Sequence, residues 1–385
     1  MTALRLHNAT ILKPGRIVER AGLEIGDGRI VRVLDEGDAG NGQSLDLEGG
    51  YLLPGFIDTQ VNGGGDVLFN DTPTPEAIAA IGAAHAAFGT TGFLPTLISD
   101  DYDVIDRGMR ATEQAIEAGV PGVLGIHVEG PFIDAKRKGI HDSAKFRRLD
   151  EEGIRLLTSL KRGRTLVTLA PDMCADADIA RLAEAGVVVS AGHTDADYAA
   201  MRVAMEAGVS GFTHLFNAMS PMLHRAPGVV GAALESRDAV CGIIVDGQHV
   251  DPVVLRIALR TRPIGSFMLV SDAMPTVGSS TKQFRLGTRE IRVVDGVCVG
   301  PDGTLAGSDL DMSAAVRNSV TMLGVGIDDA AVMAATAPAR FLGLSDSHGS
   351  IVPGARADLV WMDRDLAVRG VWIGGEQVAE RRIAA

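Results

Sequence analysis

Between residues 55 and 272 the chain alternates short apolar runs with segments of helical period, and this rhythm constrains the fold more than any other feature. The apolar runs are Gly55–Gln60, Gly92–Leu97, Val123–Glu129, Thr165–Ala170, Val187–His193, Gly211–Asn217, Val240–Asp246 and Phe267–Asp272. Helix-period segments intervene at Thr74–Phe88, Tyr102–Ala118, Glu151–Lys161, Asp176–Ala185, Asp195–Ala207 and Asp251–Arg260. The stretch after Asn217 reads more as loop than helix. A strand that is apolar on both faces must be covered on both, so such runs alternating with helices mean parallel strands joined by crossovers. Eight such units spread over about 290 residues predict a (β/α)8 barrel, with an open doubly wound sheet as the alternative.

The two ends of the chain read differently. Ala3–Leu12, Gly22–Ile25 and Arg29–Leu34 are short β-rich runs, and Gly26-Asp27-Gly28 makes a hairpin turn between the last two. Asp358–Met362 and Gly370–Ile373 follow the same pattern near the other end, with Gly374-Gly375 as the turn. Neither end makes a core alone. The expectation is one small β domain built from residues 1–53 and 346–385, with the barrel occupying 54–345.

Composition removes several functions. The 36 basic and 49 acidic residues leave a net charge of −13. A nucleic-acid surface needs a basic field, so this balance argues against one. A small anionic ligand is still permitted, because a few local cations override the global sign. The three cysteines are odd in number and widely spaced, which is no disulfide framework. The first residues lack the apolar stretch of a secretory leader, and no run reaches the ~18 apolar residues of a membrane span. A reducing, cytoplasmic location and no membrane partner are expected.

In a barrel of this kind chemistry gathers where the strands end. Six of the eight predicted strands finish in ionisable or amide side chains: Asp58-Thr59-Gln60-Val61-Asn62, His127-Val128-Glu129, Gly192-His193-Thr194, Thr213-His214, Asp246-Gly247-Gln248-His249 and Ser271-Asp272. Glu129, His193 and His214 form the strongest subset. One carboxylate and two imidazoles from separate strands suit a catalytic divalent ion, with positions left for water and substrate. Zn²⁺ heads that choice, and the same donors accept Fe²⁺, Co²⁺ or Mn²⁺. Asp272 stands where a carboxylate beside the ion would act as a general base, or else caps the next turn. His141, in a basic glycine-containing loop, either polarises a carbonyl or is a solvated loop residue. His249 and Arg225 are the basic candidates for an anion, although a lone loop arginine such as Arg225 is commonly just solvated. Gly63-Gly64-Gly65 is a weaker candidate, through its backbone amides. His7, His85, His224 and His348 read as packing or surface residues.

These pieces resemble the amidohydrolase superfamily and, within it, the N-acetylglucosamine-6-phosphate deacetylases. The resemblance rests on Leu53-Pro54-Gly55-Phe56-Ile57-Asp58, His127-Val128-Glu129-Gly130-Pro131-Phe132, Lys138-Gly139-Ile140-His141, Ala191-Gly192-His193-Thr194, Thr213-His214-Leu215-Phe216-Asn217-Ala218-Met219, Val245-Asp246-Gly247-Gln248-His249-Val250, Val270-Ser271-Asp272-Ala273 and Gly303-Thr304-Leu305-Ala306-Gly307-Ser308. The tail Pro353-Gly354-Ala355-Arg356-Ala357-Asp358-Leu359-Val360 resembles the superfamily's usual ending. The resemblance implies a barrel with a β-sandwich made from both termini. It implies Glu129, His193 and His214 as metal ligands, Asp272 as catalytic acid and base, and His141 on the substrate carbonyl. Ile140, Asn217, Ala218, His249, Leu305, Ala306 and Gly307 are implied as sugar-phosphate contacts. Arg225 is implied as a phosphate contact that crosses a homodimer interface into the neighbouring site.

One departure from the wider superfamily matters. Many members carry His-x-His at the end of the first strand and bind two metals. Here the strand ends Gln60-Val61-Asn62, and amides are poor ligands for such ions. A single metal per chain is therefore expected, with Gln60 and Asn62 marking a vestigial second position. The implied reaction is hydrolysis of an acetylated amino-sugar phosphate, specifically N-acetylglucosamine 6-phosphate, to the free amine and acetate. An amidohydrolase cutting a cyclic amide or dipeptide, and a non-catalytic scaffold that kept the barrel, are the alternatives.

Overall fold

The computed structural model describes residues 4–13, 16–35 and 43–380. Ala3, which opens the first predicted strand, and the outer ends of the ranges 1–53 and 346–385 lie outside the described residues. Eight parallel strands form the central sheet: β1 (Phe56–Val61), β2 (Thr90–Ile98), β3 (Gly125–Glu129), β4 (Arg164–Leu169), β5 (Val188–Ala191), β6 (Val209–Phe212), β7 (Val240–Ile243) and β8 (Phe267–Leu269). They pair in chain order from β1 to β8, each parallel to its neighbour. Every residue of β1, β2 and β3 is buried, as strands covered on both faces require. This is the (β/α)8 barrel.

The barrel closes at a seam. Where β1 would meet β8 there is a single parallel bridge, Val61 to Ala273. The amides of Asn62 and Gly63 both donate to the Ala273 carbonyl, at 2.9 and 3.1 Å. Side chains finish the closure, as described below for the site.

The last four strands are shorter than their apolar runs. Predicted ends at His193, Asn217, Asp246 and Asp272 give way to observed ends at Ala191, Phe212, Ile243 and Leu269. For three of the four the reason is local backbone: His193, His214 and Asp272 sit at φ of 50°, 33° and 52°. A left-handed residue cannot continue a ladder. It also costs energy outside glycine, and such strain gathers at working sites.

Helices cover the barrel largely as their periodicity predicts, from Pro75–Ala86 to Pro252–Leu259. Two boundaries move by more than two residues. The segment predicted from Asp195 begins at Tyr198, because Asp197 caps it by accepting from the Ala200 amide. The segment predicted to Lys161 stops at Leu157. The loop-like stretch after Asn217 contains a short helix, Gly228–Glu235.

After β8 the chain makes an antiparallel four-stranded sheet that the reading of the sequence did not anticipate: Gln283–Leu286, Arg289–Val294, Val297–Val299 and Leu305–Ser308. Its pattern was present, since short alternating runs are punctuated by Gly287, Gly296 and Gly303. The sheet packs its own small core of Ile291, Cys298 and Ala306 against Leu68, Ile140 and Met274. The terminal segments form the second, separate β layer. There Leu359–Met362 pairs with Tyr51–Pro54, which pairs with Leu4–Lys13. The latter strand pairs also with Arg16–Gly26 and Gln43–Asp46, so the sheet branches and wraps a core containing Leu6, Ile11, Leu23, Ile30, Leu52, Leu359 and Trp372. Among the described residues no helix is long and apolar enough to cross a membrane.

One tight contact tests the barrel packing. A Cβ on Gly125, at the start of β3, would stand 1.9 Å from the Arg164 carbonyl oxygen of β4. Gly125→Ala should destabilise the fold by about 2–4 kcal/mol through backbone displacement. Urea unfolding checks this, and a change below about 0.5 kcal/mol would show that the strands have room to part.

Candidate active site

Glu129 ends β3, while His193 and His214 lie just past the ends of β5 and β6. All three are buried. Glu129 Oε1 lies 3.2 Å from His193 Nε2 and 3.0 Å from His214 Nε2, and the two imidazole nitrogens are 3.1 Å apart. The tautomer of His193 is fixed from outside. Its Nδ1 lies 2.8 Å from the Arg137 carbonyl, which can only accept, so in the neutral ring the Nε2 lone pair faces Glu129 and His214. His214 Nδ1 has no partner among the described residues. Burial opposes a charge on Glu129, but the two histidines beside it win and hold its pKa well below the usual range. Two nitrogen donors and a carboxylate oxygen converging in a dry pocket fit a divalent cation, and this group could hold one.

Asp272 completes the ring of charge. Asn62 Nδ2 donates to its Oδ1 at 2.7 Å. Gln60 Nε2 lies 3.1 Å from the same oxygen and 3.2 and 3.1 Å from the two Glu129 oxygens. The Gln60 amide thus stands between two carboxylates. Burial, followed by the charge of Glu129, raises the Asp272 pKa to about 6.

His141 is buried, with its ring 4.5 Å from that of His193. Ser99 was not foreseen here. Its backbone amide lies 3.3 Å and its hydroxyl 2.8 Å from His141 Nδ1. An amide N–H only donates, so Nδ1 accepts and the ring proton resides on Nε2. Burial, with the field of His193 second, pushes the His141 pKa down to about 3 and keeps the ring neutral.

Glu129, His193, His214, Asp272, His141 and Asn62 line one cavity of about 180 Å³. Ile140, Asn217, Ala218, His249, Leu305 and Gly307 line it with them, as do the unforeseen Ile98, Gly139, Met274 and Thr304. Leu305 and Gly307 come from the four-stranded insertion. A Cβ on Gly307 would meet the Asp272 carbonyl oxygen at 2.8 Å, which explains a glycine there. Ala306 does not line the cavity. It alternates inward, fully buried in the core of the insertion. His249 Nδ1 lies 2.5 Å from Asp246 Oδ2, which orients the ring. Arg225 lies on the exposed loop 221–227 and does not line the cavity of its own chain. Gly63-Gly64-Gly65 offers no anion cradle, because the Gly63 and Gly65 amides already donate to Ala273 and Val277. His85 is buried beneath that loop, with Nε2 2.9 Å from the Gly63 carbonyl.

Residues 51–378 match the amidohydrolase family. The N-acetylgalactosamine-6-phosphate deacetylase of Shewanella sp. (strain ANA-3) is 41% identical over 96% of this chain and 94% of its own. The chain belongs to the amidohydrolase family, with the N-acetylhexosamine-6-phosphate deacetylases. Among solved structures, the Pasteurella multocida N-acetylglucosamine-6-phosphate deacetylase superposes on this amidohydrolase with a TM-score of 0.94 at 32% identity, covering 97% of this chain and 99% of that one. A mutant of the Mycobacterium smegmatis deacetylase, in complex with N-acetyl-D-glucosamine-6-phosphate, gives 0.91 at 35% identity over 98% and 100%.

Ser99 escaped the reading of the sequence because a serine at a strand end carries no distinctive pattern. Its position directly after β2, next to Ile98, which pairs with Glu129 of β3, was the available clue. For this amidohydrolase, Glu129→Ala removes the shared oxygen on which both histidines converge. Elemental analysis of the purified variant should show nearly all tightly bound divalent metal gone while circular dichroism keeps its shape. Metal retained at the parental level would remove the group as a metal centre.

Proposed function

We propose that this chain hydrolyses the acetamide of N-acetyl-D-glucosamine 6-phosphate, giving D-glucosamine 6-phosphate and acetate. The observation that carries the reading is the meeting of Glu129, His193 and His214 with Asp272 and neutral His141 around one cavity. The names of the relatives support the substrate class.

Glu129, His193 and His214 would hold one divalent ion, with Zn²⁺ first and Fe²⁺, Co²⁺ or Mn²⁺ able to replace it. When bound, the ion supplies Lewis acidity and makes water acidic enough to attack near neutral pH. We take a single ion per chain, because the Gln60 amide occupies the space between Glu129 and Asp272. Two ions per chain on elemental analysis would overturn that count.

Asp272 takes a proton from the attacking water. As the C–N bond breaks, it returns the proton to the leaving amine, which is too basic to depart without one. His141 donates Nε2–H to the acyl oxygen as negative charge develops there. A neutral donor already fixed by Ser99 needs no reorganisation at that moment. The sugar lies against Ile140, Asn217, Ala218, Leu305 and Gly307. His249 meets the phosphate, and binding that far from the reacting bond positions the amide. Arg225 completes the phosphate site of a neighbouring copy in a homodimer. Its loop is exposed beside Met222 and Leu223, each 56% exposed, which supports a contact there. The chain reads as a reducing-compartment, cytoplasmic enzyme, with the barrel at 54–345 and the small β domain at 1–53 and 346–385.

Acetate release by metal-loaded protein tests this. Turnover of N-acetylglucosamine 6-phosphate should exceed that of the unphosphorylated sugar by a factor of about 100 in kcat/KM. No release with any of the four metals would overturn the assignment. The 4-epimer, N-acetylgalactosamine 6-phosphate, belongs in the same series, since the Shewanella relative carries that name. Preference for the galacto substrate would reassign the sugar and keep the chemistry. Asp272→Asn should retain metal and lose turnover by a factor of about 1,000. Arg225→Ala should raise KM for the phosphorylated sugar by about tenfold with kcat nearly unchanged.

A further inference from the structure

Asp58 lies in the middle of β1 with no solvent exposure, below the cavity it does not line. Its carboxylate is met by donors. The amides of Gln60 and Ser271 each donate to Oδ1 at 3.2 Å, and the Ser271 hydroxyl donates to Oδ2. The Ser271 oxygen in turn accepts from the Ala273 amide at 3.1 Å. The residues on both sides of Asp272 are therefore tied to one buried carboxylate on the opposite side of the seam. The carbonyls of Ser271 and of Asp272 itself are tied as well. Ser308 donates its hydroxyl to the Ser271 carbonyl at 2.5 Å and its amide to the Asp272 carbonyl at 2.9 Å.

This matters because Asp272 sits at φ 52° and no regular ladder holds it. Left to itself, that conformation relaxes toward the ordinary extended or helical regions. We propose that Asp58 is a positioning residue for the reaction: through Ser271 it clamps the left-handed backbone on which Asp272 presents its carboxyl to the site. Asp58 also accepts from the Gln60 backbone N–H on the same strand, so one carboxylate holds the main chain of both the acid/base and the residue whose side chain steadies it. The inference rests on reading Asp272 as the proton-transfer residue.

The test uses the metal-loaded enzyme and N-acetylglucosamine 6-phosphate. Asp58→Asn keeps the size of the side chain but turns one acceptor oxygen into a donor that faces Ser271. A displacement of the order of 1 Å at a reacting group is worth about 100-fold. Asp58→Asn should therefore lower kcat by about 100-fold, with KM changed by less than about threefold and metal content unaltered. Ser271→Ala should show the same split, at about tenfold in kcat. The double variant should be no worse than Asp58→Asn alone, because both act through one tether.

A kcat within about twofold of the parent in the folded Asp58→Asn variant overturns the proposal. So does a loss that tracks loss of metal, or multiplicative effects in the double variant. If Asp58→Asn fails to fold, Ser271→Ala decides by the same criteria. Asp272→Asn is run alongside. If it stays active, the reading of Asp272 itself fails. If it is inactive while Asp58→Asn is normal, only the role of Asp58 falls.

Discussion

Everything in the site depends on keeping two carboxylates close together in a dry interior. Glu129 and Asp272 repel, and burial makes that repulsion long-ranged. The Gln60 amide answers it by placing one N–H group against oxygens of both. A neutral side chain thus does locally what a cation would otherwise have to do. The histidines then stabilise Glu129 from the other side, which leaves Asp272 as the carboxyl whose proton affinity is raised. The two acids share one pocket and are driven toward opposite protonation behaviour by what touches them, the arrangement that acid–base work requires.

The barrel supplies the rigidity behind this. Beneath the site its interior is polar and continuous. His127 bonds to Thr168 at 2.7 Å, Thr168 to Thr213 at 2.6 Å, and Thr213 to Ser190 at 2.9 Å. His127 shares a strand face with Glu129 by the period of two, so the Glu129 carboxylate stands on a hydrogen-bonded layer. Burial, the largest influence on His127, lowers its pKa to about 4, and a neutral ring fits that network without adding charge below the site.

Much of this was legible in the sequence. Strand-helix alternation carries the barrel, because burial on both faces leaves an unmistakable apolar run. Glu129, His193, His214 and Asp272 were legible because polar groups at the ends of such runs need a reason to be there. The strand ends themselves were not. A residue at positive φ looks like any other in sequence, so His193, His214 and Asp272 read as the last members of strands that had already stopped. Ser99 and the part played by Asp58 were hidden for a different reason. They act through the atoms they hold, and a single serine past a strand or aspartate within one carries no spacing that tells what it holds. Ala306 stands apart from its neighbours. It belongs to a segment that lines the cavity, yet strand alternation turns its methyl into the core while Leu305 and Gly307 face the ligand space.

The wall opposite Glu129, His193 and His214 is a sheet with a core of its own, joined to the barrel at Ile140, Met274 and the Ser308 clasp. The two halves of the cavity are consequently separable in descent. Changes at Thr304, Leu305 or the turns of that sheet can reshape the cavity without touching the strand ends that hold the charged groups. A lineage can alter what the cavity admits by drift on this wall alone, while the strand ends stay under constraint.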